Sequence, residues 1–259
     1  MQNLSGANWI GVRTLYMREV RRFMKIYLQT LFGPMVTSLL FLAVFVLALG
    51  RAIGVVGGVP FVEFLAPGLV MMAISQNAFA NSSSSMTAAK LQGNIVDTLM
   101  PPFTANELTF GFAAGAATRG LVAGFAVALA MAIFVPIGLH NPFFILFHAV
   151  AAAMMLGMLG LIGGIWANKF DHLAAVNNFV ITPLAFLSGT FYSIERLSET
   201  FQFLAHLNPF FYMIDGFRYG FIGHADGNLA VGVAVMGGVD VFLWCVCYWM
   251  FKTGYKLKP

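Results

Sequence analysis

Six long apolar runs follow one amphipathic N-terminal stretch, with polar connectors between them. The runs are roughly 31–50, 62–80, 111–138, 143–166, 176–192 and 229–251. Most reach the roughly 17–25 residues that a helix needs to cross the hydrocarbon of a bilayer. The fifth is the shortest and carries Pro183, which predicts a kink or a pair of half-helices. Ahead of the first run, Trp9, Val12, Tyr16, Val20, Phe23 and Tyr27 recur every three or four residues. Arg13, Arg18, Arg21, Arg22 and Lys25 fill the remaining positions, with Glu19 the only acid. This pattern predicts an interfacial helix, its aromatic face in the acyl boundary and its basic face toward anionic headgroups.

Two connectors are long. The first, 81–110, opens with Ser82–Ser85. It continues through a short helical pattern over 86–100 that Pro101 and Pro102 stop. The second, 193–228, is long enough for two short helices split at Asn208-Pro209. Asn208 suits a cap and Pro209 the first helical position, where its missing N–H costs nothing. Phe210, Ile214, Phe217 and Phe221 then share one face, while Asp215 and Arg218, three apart, can pair on another. So many aromatic residues would be poorly placed in bulk water.

Composition agrees with a membrane protein. Hydrophobic residues make up 59% of the 259 and charged ones only 9%, against about 25% charged in a soluble domain. The net charge of +4 does not point to nucleic acid, because the basic residues flank the apolar runs. With six spans, Arg13, Arg18, Arg21, Arg22, Lys25, Lys90, Lys169, Lys252, Lys256 and Lys258 fall on one side. Only Arg51, Arg196 and Arg218 fall on the other, which predicts cytoplasmic N- and C-termini. The first apolar run starts near residue 31 behind a basic stretch, so no cleavable signal peptide is expected. Cys245 and Cys247 point to nearly opposite sides of a helix and can neither bridge nor share a metal.

Chemistry is sparse. No Gly-Lys dipeptide is present, hence no Walker A loop, and no pair of glycines has the i, i+2 spacing of a dinucleotide fingerprint. The five histidines show no metal-ligand spacing. Ser188-Gly189 lacks the first glycine of a Gly-x-Ser-Gly protease motif, since Phe186 stands there. Arg119 and Asp240 are ionisable groups within spans, at similar depths that would allow them to pair, a contact the sequence leaves open. Gly111/Gly115, Gly120/Gly124 and Gly160/Gly164 are small-xxx-small pairs that permit close helix packing, within the chain or across a dimer seam.

Leu207-Asn208-Pro209, Asp215, and Arg218 before Gly220, preceded by the run from Pro183 to Tyr192, resemble the C-terminal signature of bacterial ABC-2 type transporter permeases, the YadH-type inner-membrane permeases among them. The resemblance implies an all-α polytopic fold: an interfacial helix over 1–30 flat on the cytoplasmic surface, then a six-span transmembrane domain over 31–259. The rhythm Asn94-Ile95-x-Asp97-x-Leu99-x-x-Pro102 is similar to the family's coupling helix. Lys90, Gln92, Asn94, Ile95, Asp97 and Leu99 are then expected to meet a separate ATP-binding subunit. The short loop with Lys169, Asp171 and His172 would make a smaller second contact. The 193–228 segment is expected to dip back as a re-entrant pair, with Asn208, Pro209, Phe210, Asp215 and Arg218 at the exit gate. The implied function is the permease subunit of an exporter for a hydrophobic, amphiphilic or lipid-linked substrate. It would work as a homodimer among membrane lipids in the bacterial inner membrane, without catalysis of its own. ATP and Mg would be bound by the partner and no cofactor by this chain. The alternative is an ion-coupled secondary transporter or channel, which would depend on Asp240 and a proton gradient.

Overall fold

The computed structural model describes residues 8–56 and 58–257. Lys258 and the side chain of Arg51 lie outside the described residues. The fold is all-α and polytopic: among the described residues, six helical stretches are long and apolar enough to cross a membrane. In chain order come α1 (Trp9–Met24), α2 (Gly33–Ile53), α3 (Phe61–Leu91), α4 (Ile95–Leu99), α5 (Ala105–Ala132) and α6 (Pro142–Trp166). These are followed by α7 (Phe170–Val176), α8 (Thr182–Leu187), α9 (Glu199–His206), α10 (Pro209–Ile222) and α11 (Leu229–Thr253). A two-residue antiparallel ribbon, β1 (Val55–Val56) with β2 (Val59–Pro60), joins α2 to α3.

Local chemistry sets most helix starts. Thr104 and Glu107 form a reciprocal capping box at α5. The side-chain oxygens of Asn141, Asn208 and Asn228 accept the first free N–H groups of α6, α10 and α11. Gly223 and Gly254 end α10 and α11 at φ +72° and +68°, backbone that side chains other than glycine disfavour.

Three boundaries differ from those expected of the sequence. Ser82–Ser85 do not open a loop; they lie inside α3. Three of the four hydroxyls have partners on neighbouring elements, as in Ser82 Oγ donating to the Gly157 carbonyl at 2.5 Å and Ser85 Oγ to Glu19 at 2.8 Å. A polar run therefore continues the helix instead of ending it. The projecting helix before the double proline shrinks to α4, after a turn at Gly93 with φ +74°. The third span starts at Ala105 and ends at Ala132, earlier at both ends than the apolar run, because the capping box nucleates it among polar residues.

The core is built around α3, which packs against α2, α5, α6 and α10. The glycine pairs all serve packing within the chain. A Cβ on Gly160 would meet the Phe79 carbonyl and Ser82 Oγ, and one on Gly164 would meet Met86 and Ser83, so α6 lies directly on α3. Gly120 and Gly124 receive Ile74 and Ala78 in the same way, and Gly111 and Gly115 receive Leu15 and Glu19 of α1. Lipid is as apolar as leucine, so such close approach is what holds helices together in a bilayer.

The face of α1 also differs from expectation. Val12, Leu15, Glu19 and Phe23 are buried, while Trp9 is 72% and Tyr27 50% exposed. The aromatic stripe divides because α5 offers glycines to α1 at the depth of Leu15 and Glu19. Tyr16 turns its hydroxyl to Thr118 Oγ1 at 3.0 Å.

Gly160→Leu is expected to lower stability by about 1–3 kcal/mol, the usual cost of overpacking. Gly237→Leu, where an added Cβ meets nothing within 4 Å, should leave stability unchanged. Thermal unfolding of the two variants in detergent checks the pair.

Candidate functional site

Two polar constellations stand out, one near each end of the bundle. The first joins α1, α3 and α4. Glu19 is fully buried, although it sits on an otherwise basic helix. Arg18 approaches its carboxylate at 3.2 Å and Arg22 at 3.4 Å, and Ser85 Oγ donates to it at 2.8 Å. Arg22 also donates to the Asn81 carbonyl at 2.5 Å, to Asn81 Oδ1 at 2.9 Å and to Ser84 Oγ at 3.1 Å. Arg18 reaches Thr98 Oγ1 at 2.8 Å. One carboxylate thus aligns two guanidinium groups, and these fasten α1 to α3 and to α4.

Between α1 and α4 lies an open cleft of about 970 Å³. Arg13, Arg18, Arg21, Arg22 and Lys25 line one side, and Gln92, Asn94 and Thr98 the other. Gln92 and Asn94, singled out from the sequence, therefore face a strongly basic wall. On α4, Asp97 is exposed and Leu99 is 36% exposed, while Val96 and Met100 stand out at 50% and 76%. Ile95 turns the other way and is buried at 4%. Lys90 turns inward too: its ammonium donates to the Ile165 and Ala167 carbonyls at 2.5 and 2.8 Å, capping the end of α6. Sequence reasoning missed Val96, Met100 and the arginine wall. No local signal marks them: α4 has only five residues, so its exposed side follows from how α3 presents it.

The second constellation surrounds α10. Arg218 is buried, with its guanidinium 3.8 Å from the Phe64 ring centroid. It donates to the carbonyls of Phe64 at 3.3 Å, Gly189 at 2.6 Å and Thr190 at 3.5 Å. Gly68 makes room, since a Cβ there would strike the Thr190 carbonyl. Asp215 accepts from the Asp226 and Gly227 N–H groups at 2.8 and 3.0 Å. Burial pushes the Asp215 carboxyl above its ordinary value, with those N–H groups and the Arg218 charge acting against the shift. The Asp215–Arg218 ion pair that the spacing allows is absent among the described residues. Each group is met instead by backbone dipoles of a different segment. Asn208 caps α10 through Phe210 N–H at 3.1 Å and donates to the Leu184 carbonyl at 2.9 Å and Ser188 Oγ at 2.7 Å. Pro209 occupies the first turn and Phe210 is buried at 3%.

Arg119 and Asp240 do not meet. Arg119 Nε and Asp240 Oδ1 are buried without a partner among the described residues. Arg119 lies one turn beyond Gly115, on the side of α5 that faces α1. Asp240 lies two turns before Cys247, whose thiol points at the Met158 carbonyl of α6. Helix rotation separates them at similar depth.

Residues 11–222 match the family described as ABC-2 type transporter. The chain belongs to this family. It is 36% identical over 250 residues to the inner membrane transport permease YadH of Escherichia coli K12, covering 96% of this chain and 98% of that protein. It is also 25% identical over 230 residues to nodulation protein J of Neorhizobium galegae, covering 88% and 87%. The chain is thus a transport permease, a non-enzymatic multi-pass component of the inner membrane, and the family implies an ATP-binding partner.

Glu19→Leu is expected to destabilise the permease by less than the roughly 3–5 kcal/mol of a fully enclosed pair, because Arg18 and Arg22 keep water access. Denaturant unfolding in detergent, with Arg18→Leu and Arg22→Leu as companions, measures it. A change within error would show that the cluster does not hold α1.

Proposed function

We propose that the permease is the membrane half of an ATP-driven exporter. Two copies form the path, and two copies of a separate ATP-binding subunit sit on the cytoplasmic side with both chain termini. ATP and Mg bind to that subunit, and the substrate moved outward is hydrophobic, amphiphilic or lipid-linked. The observation that carries this reading is α4. It is a short helix between a positive-φ turn at Gly93 and a double proline, presenting Val96, Asp97, Leu99 and Met100 outward beside a basic cleft. Such a rigid projection suits transmission of a push, because Arg18–Thr98 joins it to α1 and the turn at Gln92 joins it to α3. Closure of the ATPase pair would then tilt spans between two arrangements. On the outer side, the α9–α10 pair with Asn208, Pro209, Phe210, Asp215 and Arg218 would narrow the exit. The ion-coupled alternative needs a relay of ionisable groups within the spans, and the separation of Arg119 from Asp240 weakens it.

The test is co-purification in detergent with the ATPase encoded alongside this permease. Asp97→Lys and Met100→Asp are expected to weaken recovery about tenfold or more, equivalent to about 1.4 kcal/mol. Leu99→Asp should behave alike, and an exposed change on α9, Phe203→Asp, should have no effect. Recovery equal to wild type in all three α4 variants would move the docking surface elsewhere. No ATPase with the wild-type chain would favour the ion-coupled reading.

A further inference from the structure

The fifth span is interrupted midway, whereas the first carries its π turn at its start, ahead of α2. It consists of α7 and α8 joined by a π-helical turn over Asn177–Ile181, directly ahead of Thr182-Pro183. A π turn holds one residue more than the α-helix around it, and Pro183 has no N–H to offer the preceding turn. Both are recognised causes of helix bending. Exposure follows the same division. Asn178, Phe179 and Val180 are exposed, with Phe179 at 81%. Beyond the turn, burial deepens to 7% at Ala185, 1% at Ser188 and 0% at Thr190.

The outer end is tied down by two side chains of the α10 segment. Asn208 donates to the Leu184 carbonyl at 2.9 Å and Ser188 Oγ at 2.7 Å. Arg218, ten residues later, donates to the Gly189 carbonyl at 2.6 Å while stacked on Phe64 of α3. Phe191 stacks on Phe45 of α2 with centroids 4.7 Å apart, so the first span also meets the fifth at this end. The inner end is held without a side-chain hydrogen bond among the described residues: α7 buries only Leu173, and His172 meets the Trp166 ring with centroids 5.4 Å apart.

We propose that the fifth span is a lever, bolted at its outer end to α10 by Asn208 and Arg218 and bending at Asn177–Ile181. Displacement of the cytoplasmic segment around Lys169 swings α7 alone, while α8, α10 and the contact with α2 stay together. Asn208 and Arg218 are positioning residues for this motion: their contacts decide where the span bends. The inference depends on neither the identity of the substrate nor the site at which an ATPase docks.

Within-chain distances between spin labels in lipid nanodiscs test it, with labelled chains diluted in unlabelled ones so that pairs between copies are not read. Cys245→Ser and Cys247→Ala clear the background. One label sits at Phe125, exposed on α5, and is paired with Phe170→Cys on α7 or Leu187→Cys on α8. The Phe170 pair should give a distribution at least about twice as wide as the Leu187 pair. Deleting Asn178 removes the extra residue, and the Phe170 distribution should narrow to the Leu187 width. Asn208→Ser keeps a good cap but is too short to reach Leu184, and should widen the Leu187 distribution without widening that of Phe170. Arg218→Lys should widen it in the same direction, and Asn208→Ser carries the test if Arg218→Lys does not fold. Equal widths in the wild-type chain, or a Phe170 width that survives deletion of Asn178, would overturn the lever. A Leu187 width unaffected by Asn208→Ser would overturn the bolt.

Discussion

The close contact between α3 and α6 is the constraint on which the rest of the bundle depends. In water, burial of apolar surface would draw these helices together, but in lipid that drive is absent. What remains is backbone approach and hydrogen bonding. Gly160 and Gly164 remove the side chains that would keep α6 away, and Ser82 of α3 bonds to the Gly157 carbonyl beside them. Once α6 lies on α3, the end of α6 comes within reach of Lys90. The serine run that would otherwise interrupt a helix in lipid becomes the adhesive surface.

From that spine, the two polar constellations work in the same manner with different anchors. On one side, a buried carboxylate orients two arginines that would otherwise repel each other, and these fasten α1 and α4 to α3. On the other, a buried guanidinium finds three carbonyls and an aromatic face instead of a carboxylate. Backbone dipoles held rigid by neighbouring helices solvate such a charge without the entropy cost of ordering a second flexible side chain. Both clusters place charges near the ends of spans, where they cost less than at the bilayer centre.

The spans divide accordingly. α3, α5 and α6 form a glycine-rich block with many of its residues fully enclosed. The first, fifth and sixth spans are all little buried, and of these the first and fifth each carry a π turn just before an X-Pro pair, at Leu28–Phe32 and Asn177–Ile181. A stiff block flanked by bendable spans suits a transporter, whose motions require elements with two arrangements beside a frame that has one.

What could be read from the sequence was whatever depends on near neighbours. Apolar run length marked six spans. The Asn208-Pro209 start of α10 was legible because a cap and a first-turn proline act within three residues. The double proline likewise marked the end of the α4 segment. Other features needed the assembled helices. Ser82–Ser85 looked like a loop because their partners, Gly157 and Glu19, are far away in sequence. Asp215 and Arg218 looked like a pair because spacing reveals proximity but not the carbonyls that compete for the guanidinium. Arg119 and Asp240 had matching depths, yet the rotation of each helix about its axis turned them apart; for α5 that rotation is set by Leu15 and Glu19 of α1 filling Gly111 and Gly115. The sequence by itself determined where helices run and start. The tertiary structure decided which polar groups meet, because in lipid that choice rests on side-chain fit between segments far apart in the chain.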